Sequence, residues 1–123
     1  MKKVYVLGSV NIDFVMNADR MPKEGETMHG ESFMINEGGK GANQAVASSK
    51  IGAATYMIGY VGGDALAEHT AARLREYGVH TQFLKKDETV STGAAQITVI
   101  KGNNRIILSA GANYSIKKED IDE

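Results

Sequence analysis

The spacing of apolar positions along this chain changes several times, and each change marks an element. Val4 to Val10 is a short apolar run rich in β-branched residues and without clean alternation, as expected of a strand covered on both faces. Ile12 to Met16 and Glu31 to Ile35 alternate more openly. The stretch "NADRMPKEGETMHG" between them holds the only proline and several turn formers, so both read as strands of a half-exposed sheet. "EGGKGANQAVASSKIGA", Glu37 to Ala53, then passes from glycines into a small-residue helix expected from about Ala42 to Lys50, with Gly52 just past its end. "ATYMIGYV" reads as a second buried strand. Asp64 is placed to cap a helix from Ala65 to Tyr77 that turns Leu66, Ala67, Ala71 and Leu74 inward and stops at Gly78. "VHTQFL" is expected to be a third core strand. After it, "STGAAQITVIKGNNRIILSAGAN" predicts a hairpin turning at Gly102-Asn103-Asn104, and "SIKKEDIDE" starts like a helix capped by Ser115.

Strand-helix-strand-helix order implies an α/β fold with a parallel core sheet. The early strands, about residues 12–35, and the late hairpin, about 93–109, form a second small sheet inserted in that core. A chain of 123 residues, 42% hydrophobic, supports one core rather than two. So few parallel strands leave the layer poorly covered, and the chain reads as part of a larger domain. Its charges nearly cancel, 14 basic against 15 acidic with no block of one sign, which argues against nucleic-acid or membrane partners. Without cysteine there are no disulfides or thiolate metal sites. The opening "MKKVYVLGSVNID" mimics a signal peptide, but Asn11 and Asp13 stop its apolar run and no cleavage pattern follows, so a cytoplasmic location is expected.

The glycine loop before the first helix invites two readings. A helix N-terminus with glycines lets an anionic or hydroxyl-rich ligand reach backbone N–H groups; alternatively the stretch is a tight strand-to-helix turn with a solvated lysine. Known nucleotide fingerprints do not fit. A Walker A loop needs Ser or Thr where Gly41 stands and glycine where Met34 stands, and a dinucleotide loop needs Gly or Ala at Gln44. His29, His69 and His80 lack metal-ligand spacing. Asn11 and Asp13, two residues apart in extended chain, point the same way. Together they can give and take hydrogen bonds with vicinal hydroxyls, or they are turn-stabilising side chains.

"GSVNIDFVMNADRMPKEGET", "GGKGANQAVASSKIGA", "IGYVGGD", "STGAAQITV" and "SAGAN", in this order, resemble the amino-terminal part of the ribokinase-like (PfkB) carbohydrate kinase family over almost the whole chain. The lysine-containing string "GGKGANQA" is the most specific piece. The resemblance implies an incomplete ribokinase-like parallel sheet flanked by helices, with a β-sheet lid. It also implies ATP-dependent phosphorylation of a sugar hydroxymethyl group, ribose giving ribose 5-phosphate, with magnesium and potassium as cofactors. By matching motif, Asn11, Ile12 and Asp13, with Gly39, Lys40, Gly41, Ala42 and Asn43, would hold the sugar, and Ala95 and Ile107 would close on it from the lid. No catalytic residue falls in this chain: the family's Gly-Ala-Gly-Asp segment, with the nucleotide and cation sites, belongs to the carboxyl-terminal part. "AGAN", Ala110 to Asn113, matches the segment after the lid hairpin, and an asparagine cannot act as general base. Gly63 stands where the family often has an acid, and Ala67 where it usually has glycine, which bears on how the second helix begins. Apolar lid residues such as Phe14, Met16, Phe33, Ile97, Val99, Ile106 and Leu108 predict a homodimer through the lid. A reading from another class remains beside this one, a non-catalytic sugar-binding or dimerisation module.

Overall fold

The computed structural model describes residues 2–122. In chain order the elements are β1 (Lys3–Leu7), β2 (Asn11–Ala18), β3 (Ser32–Gly38), α1 (Lys40–Lys50), β4 (Ala54–Gly62), α2 (Ala65–Glu76), β5 (Leu84–Asp87), β6 (Gly93–Ile100) and β7 (Asn103–Ser109). Two short 3-10 turns follow, Gly111–Ser115 and Lys118–Asp120. A parallel sheet has the order β1-β4-β5, and a separate four-stranded sheet the order β3-β2-β6-β7. In the second sheet β2 pairs parallel with β6, and the outer pairs are antiparallel. This is the α/β core with a second small sheet that the pattern predicted, the sheet that the resemblance implied as a lid.

One face of the parallel sheet makes the core. Val6, Met57 and Val61 point into it from the strands, Ala42 and Ala45 from α1, Ala67 and Leu74 from α2. Full burial of each larger apolar side chain contributes about 1.5–3 kcal/mol. The other face is only partly covered, Tyr60 donating to Asp120 of the last 3-10 turn, and it leaves β1 open, contrary to the expectation of a first strand buried on both sides. Tyr5 and Leu7 are 53% and 49% exposed, and Tyr5 stacks on Tyr56 at 5.0 Å beside Phe83.

Several boundaries move for local reasons. β1 stops at Leu7, short of the Val10 expected, and the chain turns through residues 8–10 into β2, which begins at Asn11. α1 begins at Lys40 rather than Ala42, because Ser9 supplies partners for its first turn: its hydroxyl accepts from the Lys40 amide and its carbonyl from the Ala42 amide. The third core strand begins at Leu84 rather than Val79. His80 makes only a bridge to Tyr56, and a turn closed by the Leu84 amide on the Thr81 carbonyl intervenes. The hairpin turns at Lys101 and Gly102, not on the asparagines. Both have positive φ, 50° and 80°, as a two-residue turn between right-twisted strands requires. Ser115 does not cap a helix. Its hydroxyl donates to Asp87 at 2.6 Å, and the chain continues in 3-10 turns to the last described residues; Glu123 lies outside them.

α2 starts as expected despite Gly63 and Ala67. The Asp64 carboxylate accepts from the Ala67 amide at 3.1 Å and from the Thr92 hydroxyl and amide at 2.7 and 2.8 Å, tying the helix to the root of β6. Inside the helix Thr70 takes the buried place expected for Leu66, which is only half-buried. Burial opposes the Asp64 charge, but the bonds from Thr92 and the helix amides outweigh it and lower the pKa below 3.8. Asp64 therefore stabilises the fold fully above its unfolded value, and the contribution is lost as pH falls through the lower folded one. Asp64→Ala should cost about 1–3 kcal/mol in urea unfolding at pH 7 and much less at the acid end. An equal loss at both pH values would contradict this.

Candidate functional site

Of the sugar-facing residues proposed from sequence, Asn11, Asp13, Gly39, Lys40, Gly41 and Ala95 lie where the lid is rooted on the core. β1 runs through residues 8–10 into β2, and β3 runs through Gly38 and Gly39 into α1. Close backbone approach holds this junction. A Cβ on Gly41 would lie 2.6 Å from the Gly8 carbonyl carbon, so Gly41 is needed for helix-to-strand packing. Gly39 is at φ 97°, and a Cβ there would lie 2.6 Å from the Ser9 carbonyl oxygen. Ser9 takes the Lys40 and Ala42 amides, so two of the donors at the helix N-terminus are already paired within the chain.

What the junction does present is a face of the lid sheet. Strand register puts Asn36, Asp13, Ala95 and Leu108 in one row across all four strands, all on the same face. Asn11, between Gly38 and Gly93, lies on that face one pair closer to the core. Gly38 is small for a reason that concerns Asp13: a Cβ there would come within 2.6 Å of its carboxylate. Asp13 is half-buried, makes no hydrogen bond or ion pair within the described residues, and burial pushes its carboxyl above 3.8. Asn11 is only 8% exposed, and its Oδ1 accepts from Asn113 Nδ2 at 2.7 Å.

Four of the sequence-proposed residues are placed differently. Ile12 is fully buried and points to the opposite face, so its side chain is a packing group. Ala42 belongs to the hydrophobic core. Ile107 pairs with Gln96, not with Ala95, so it projects from the face opposite Asp13 and is 72% exposed. Leu108 takes the place on the Asp13 face that the resemblance implied for Ile107. Asn43 lines a groove of about 340 Å³ between α1 and α2, together with Glu37, Lys50, Thr70 and Arg73 and without Asn11 or Asp13. Glu37 is engaged there by His69 at 3.0 Å and Arg73 at 3.6 Å. Lys40 is exposed at the start of α1 and has no ion-pair partner among the described residues.

Sequence reasoning missed Gly38, Leu108 and Asn113. The doubled glycine before Lys40 was a signal for Gly38, and "AGAN" for Asn113. Leu108 needed the exact register of β7, which the misplaced turn obscured.

A parallel αβ layer carrying a four-stranded lid, with a lone carboxylate at the lid root, defines a sugar-kinase-like fold. The chain belongs to the pfkB family of carbohydrate kinases, whose model matches residues 1–123. Among its relatives, ribokinase of Bacillus subtilis is 40% identical over 116 residues, 94% of this chain and 40% of that protein. Deoxyribokinase of Salmonella typhi is 40% identical over 120 residues, 97% of this chain and 39% of that protein. The structure of Arabidopsis thaliana ribokinase complexed with ribose and ATP superposes with a TM-score of 0.84 at 36% identity, over 91% of this chain and 36% of that one. The chain thus spans about 40% of the length of the curated relatives it matches.

Proposed function

We propose that the protein containing this chain is an ATP-dependent sugar kinase with ribose as its preferred acceptor, and that these residues form its sugar-binding and lid half. The observation that carries the reading is Asp13, a partly buried carboxylate with no protein partner among the described residues, on the same face as the Asn11 amide. A carboxylate in that state is stabilised by hydroxyl donors. Adjacent sugar hydroxyls supply them, and Ala95 and Leu108 offer an apolar surface beside the polar pair. The fold comparison, which includes a relative crystallised with ribose and ATP, supports the same assignment.

The described residues do not fit a nucleotide or a metal at this face. Asp13 is the single carboxylate there among them, and Glu37 is taken by Arg73 and His69. ATP, magnesium and potassium belong in this proposal to parts of the protein beyond this chain, and no step is assigned to them. What the chain's own residues do is bind and orient the acceptor sugar and exclude water from it. A cytoplasmic location is part of this proposal. Among the described residues no helix is long and apolar enough to cross a membrane.

The lid also supports association. Phe33, Met34, Ile35, Ile106, Ile107 and Leu108 are all exposed, on the two outer strands β3 and β7 and divided between the two faces of the sheet, which leaves much apolar area open. A homodimer through the lids would cover it. One preparation of the intact protein tests both parts. Coupled ATP turnover with a panel of pentoses, nucleosides and keto-sugar acids should be highest with ribose, and sedimentation at micromolar concentration should give a dimer. Turnover without preference for any sugar, or a fully active monomer, would overturn the respective half.

A further inference from the structure

The segment "AGAN" carries no general base, yet its last residue reaches the sugar face. The Val10 amide donates to Asn113 Oδ1 at 2.9 Å, and Asn113 Nδ2 donates to Asn11 Oδ1 at 2.7 Å. A backbone N–H can only donate, so the Asn113 amide has one allowed orientation, and the Asn11 amide follows from it. The relay crosses 103 and 102 residues of chain, so folding alone brings the two amides together. Gly93 cradles the pair; a Cβ there would run into both Asn11 Oδ1 and Asn113 Nδ2. What remains is Asn11 Nδ2. It has no acceptor within the described residues and is not sealed from solvent, since the one sealed unpaired side-chain atom among them is Thr70 Oγ1.

We propose that Asn113 is a positioning residue that locks the Asn11 amide with Nδ2 toward the acceptor sugar, making Asn11 a hydrogen-bond donor beside the Asp13 acceptor. The inference rests on the reading of this face as the sugar site. Donor and acceptor then stand side by side on one strand, two residues apart, and the polarity of the pair is set from outside the lid. An asparagine free to turn would present either end of its amide; one pinned by the Val10 amide presents only the donor. A hydroxyl that accepts from Asn11 and its neighbour that donates to Asp13 are thereby distinguished.

The test is Asn113→Asp in the intact protein. The substituted carboxylate still accepts from the Val10 amide but cannot donate to Asn11. The Asn11 amide should turn over, giving Nδ2 to that carboxylate and Oδ1 to the sugar. The expected result is a sugar KM raised about tenfold or more with the ATP KM unchanged, since one hydrogen bond is lost and one acceptor now opposes another. In an Asn11→Ala background the same substitution should add nothing to the sugar KM. If Asn11→Ala itself leaves sugar KM unchanged, the reading of the face fails. If Asn11→Ala raises it and Asn113→Asp does not, or if Asn113→Asp lowers activity equally in both backgrounds, the positioning role is wrong while the site stands. Should Asn113→Asp not fold, the wild-type protein decides by nuclear magnetic resonance: ribose must shift the Asn11 Nδ2 protons and leave those of Asn113 Nδ2 in place, and the reverse pattern overturns the proposal.

Discussion

Exchange of Asp13 for asparagine is expected to lower sugar kcat/KM of the intact protein roughly ten- to a hundredfold while leaving the fold at least as stable as before. The activity loss follows from removing a charge-assisted hydrogen bond, worth about 1.5–3 kcal/mol. The stability result follows from the environment of the carboxylate. Burial raises the Asp13 pKa above 3.8, and no partner within the described residues compensates. The ionised form is therefore less favourable in the folded chain than in the unfolded one. Its contribution to stability is most favourable below the unfolded value and is lost as pH rises through the higher folded one. At neutral pH the native charge is a cost, which asparagine removes. Urea unfolding of Asp13→Asn should thus match or exceed wild type at pH 7, and the difference should vanish below pH 3.8. Structural carboxylates behave in the opposite way, as Asp64 does. A variant with wild-type sugar kinetics and reduced stability would make Asp13 a structural residue.

The second large effect concerns the 123 residues expressed alone, which are expected to transfer no phosphate and to self-associate. Phosphoryl transfer requires the donor phosphates, their metal and a base held in line with the acceptor hydroxyl. In the proposed reading the face at the lid root supplies only acceptor contacts, through Asp13, the Asn11 amide and the apolar pair Ala95 and Leu108, which share that face. The parallel sheet meanwhile lays bare Tyr5, Leu7 and Phe83 on the face away from the helices, with Ile121 also exposed. Apolar surface of that extent invites aggregation unless other polypeptide covers it. Light scattering and a radiolabelled ATP assay with ribose, magnesium and potassium check both statements. Sugar-dependent transfer by a monodisperse preparation of the 123 residues would contradict them.

The parts of this fold legible in the sequence are those with a local cause. Asp64 announces α2 because a carboxylate before an amphipathic run caps it, and the more openly alternating runs announce a second sheet apart from the core, although the outer strands β3 and β7 prove to be exposed on both faces rather than half-exposed. Features that depend on distant chain were not legible. α1 starts two residues early because Ser9, 31 residues before Lys40, bonds its first turn. Ile107 and Leu108 exchange faces according to a turn that places Lys101, not an asparagine, at positive φ. For the proposed site, the spacing of Asn11 and Asp13 showed that they share a face but left a hydroxyl-binding and a turn-stabilising reading open until the family resemblance, and the structure adds how their surroundings differ. One amide is tied by Asn113 and the other side chain is left without a partner among the described residues. The opening glycines proved to serve different ends: Gly41 and Gly39 close the junction, and Gly38 leaves room for the Asp13 carboxylate.

The most direct test of the sugar-site assignment is a crystal structure of the intact protein with ribose bound. The account predicts the sugar on the Asp13 face of the lid sheet, with hydroxyls within hydrogen-bond distance of the Asp13 carboxylate and Asn11 Nδ2, and with carbon atoms against Ala95 and Leu108. Ribose held instead in the groove between α1 and α2, or on the Ile12 face of the lid, would contradict it.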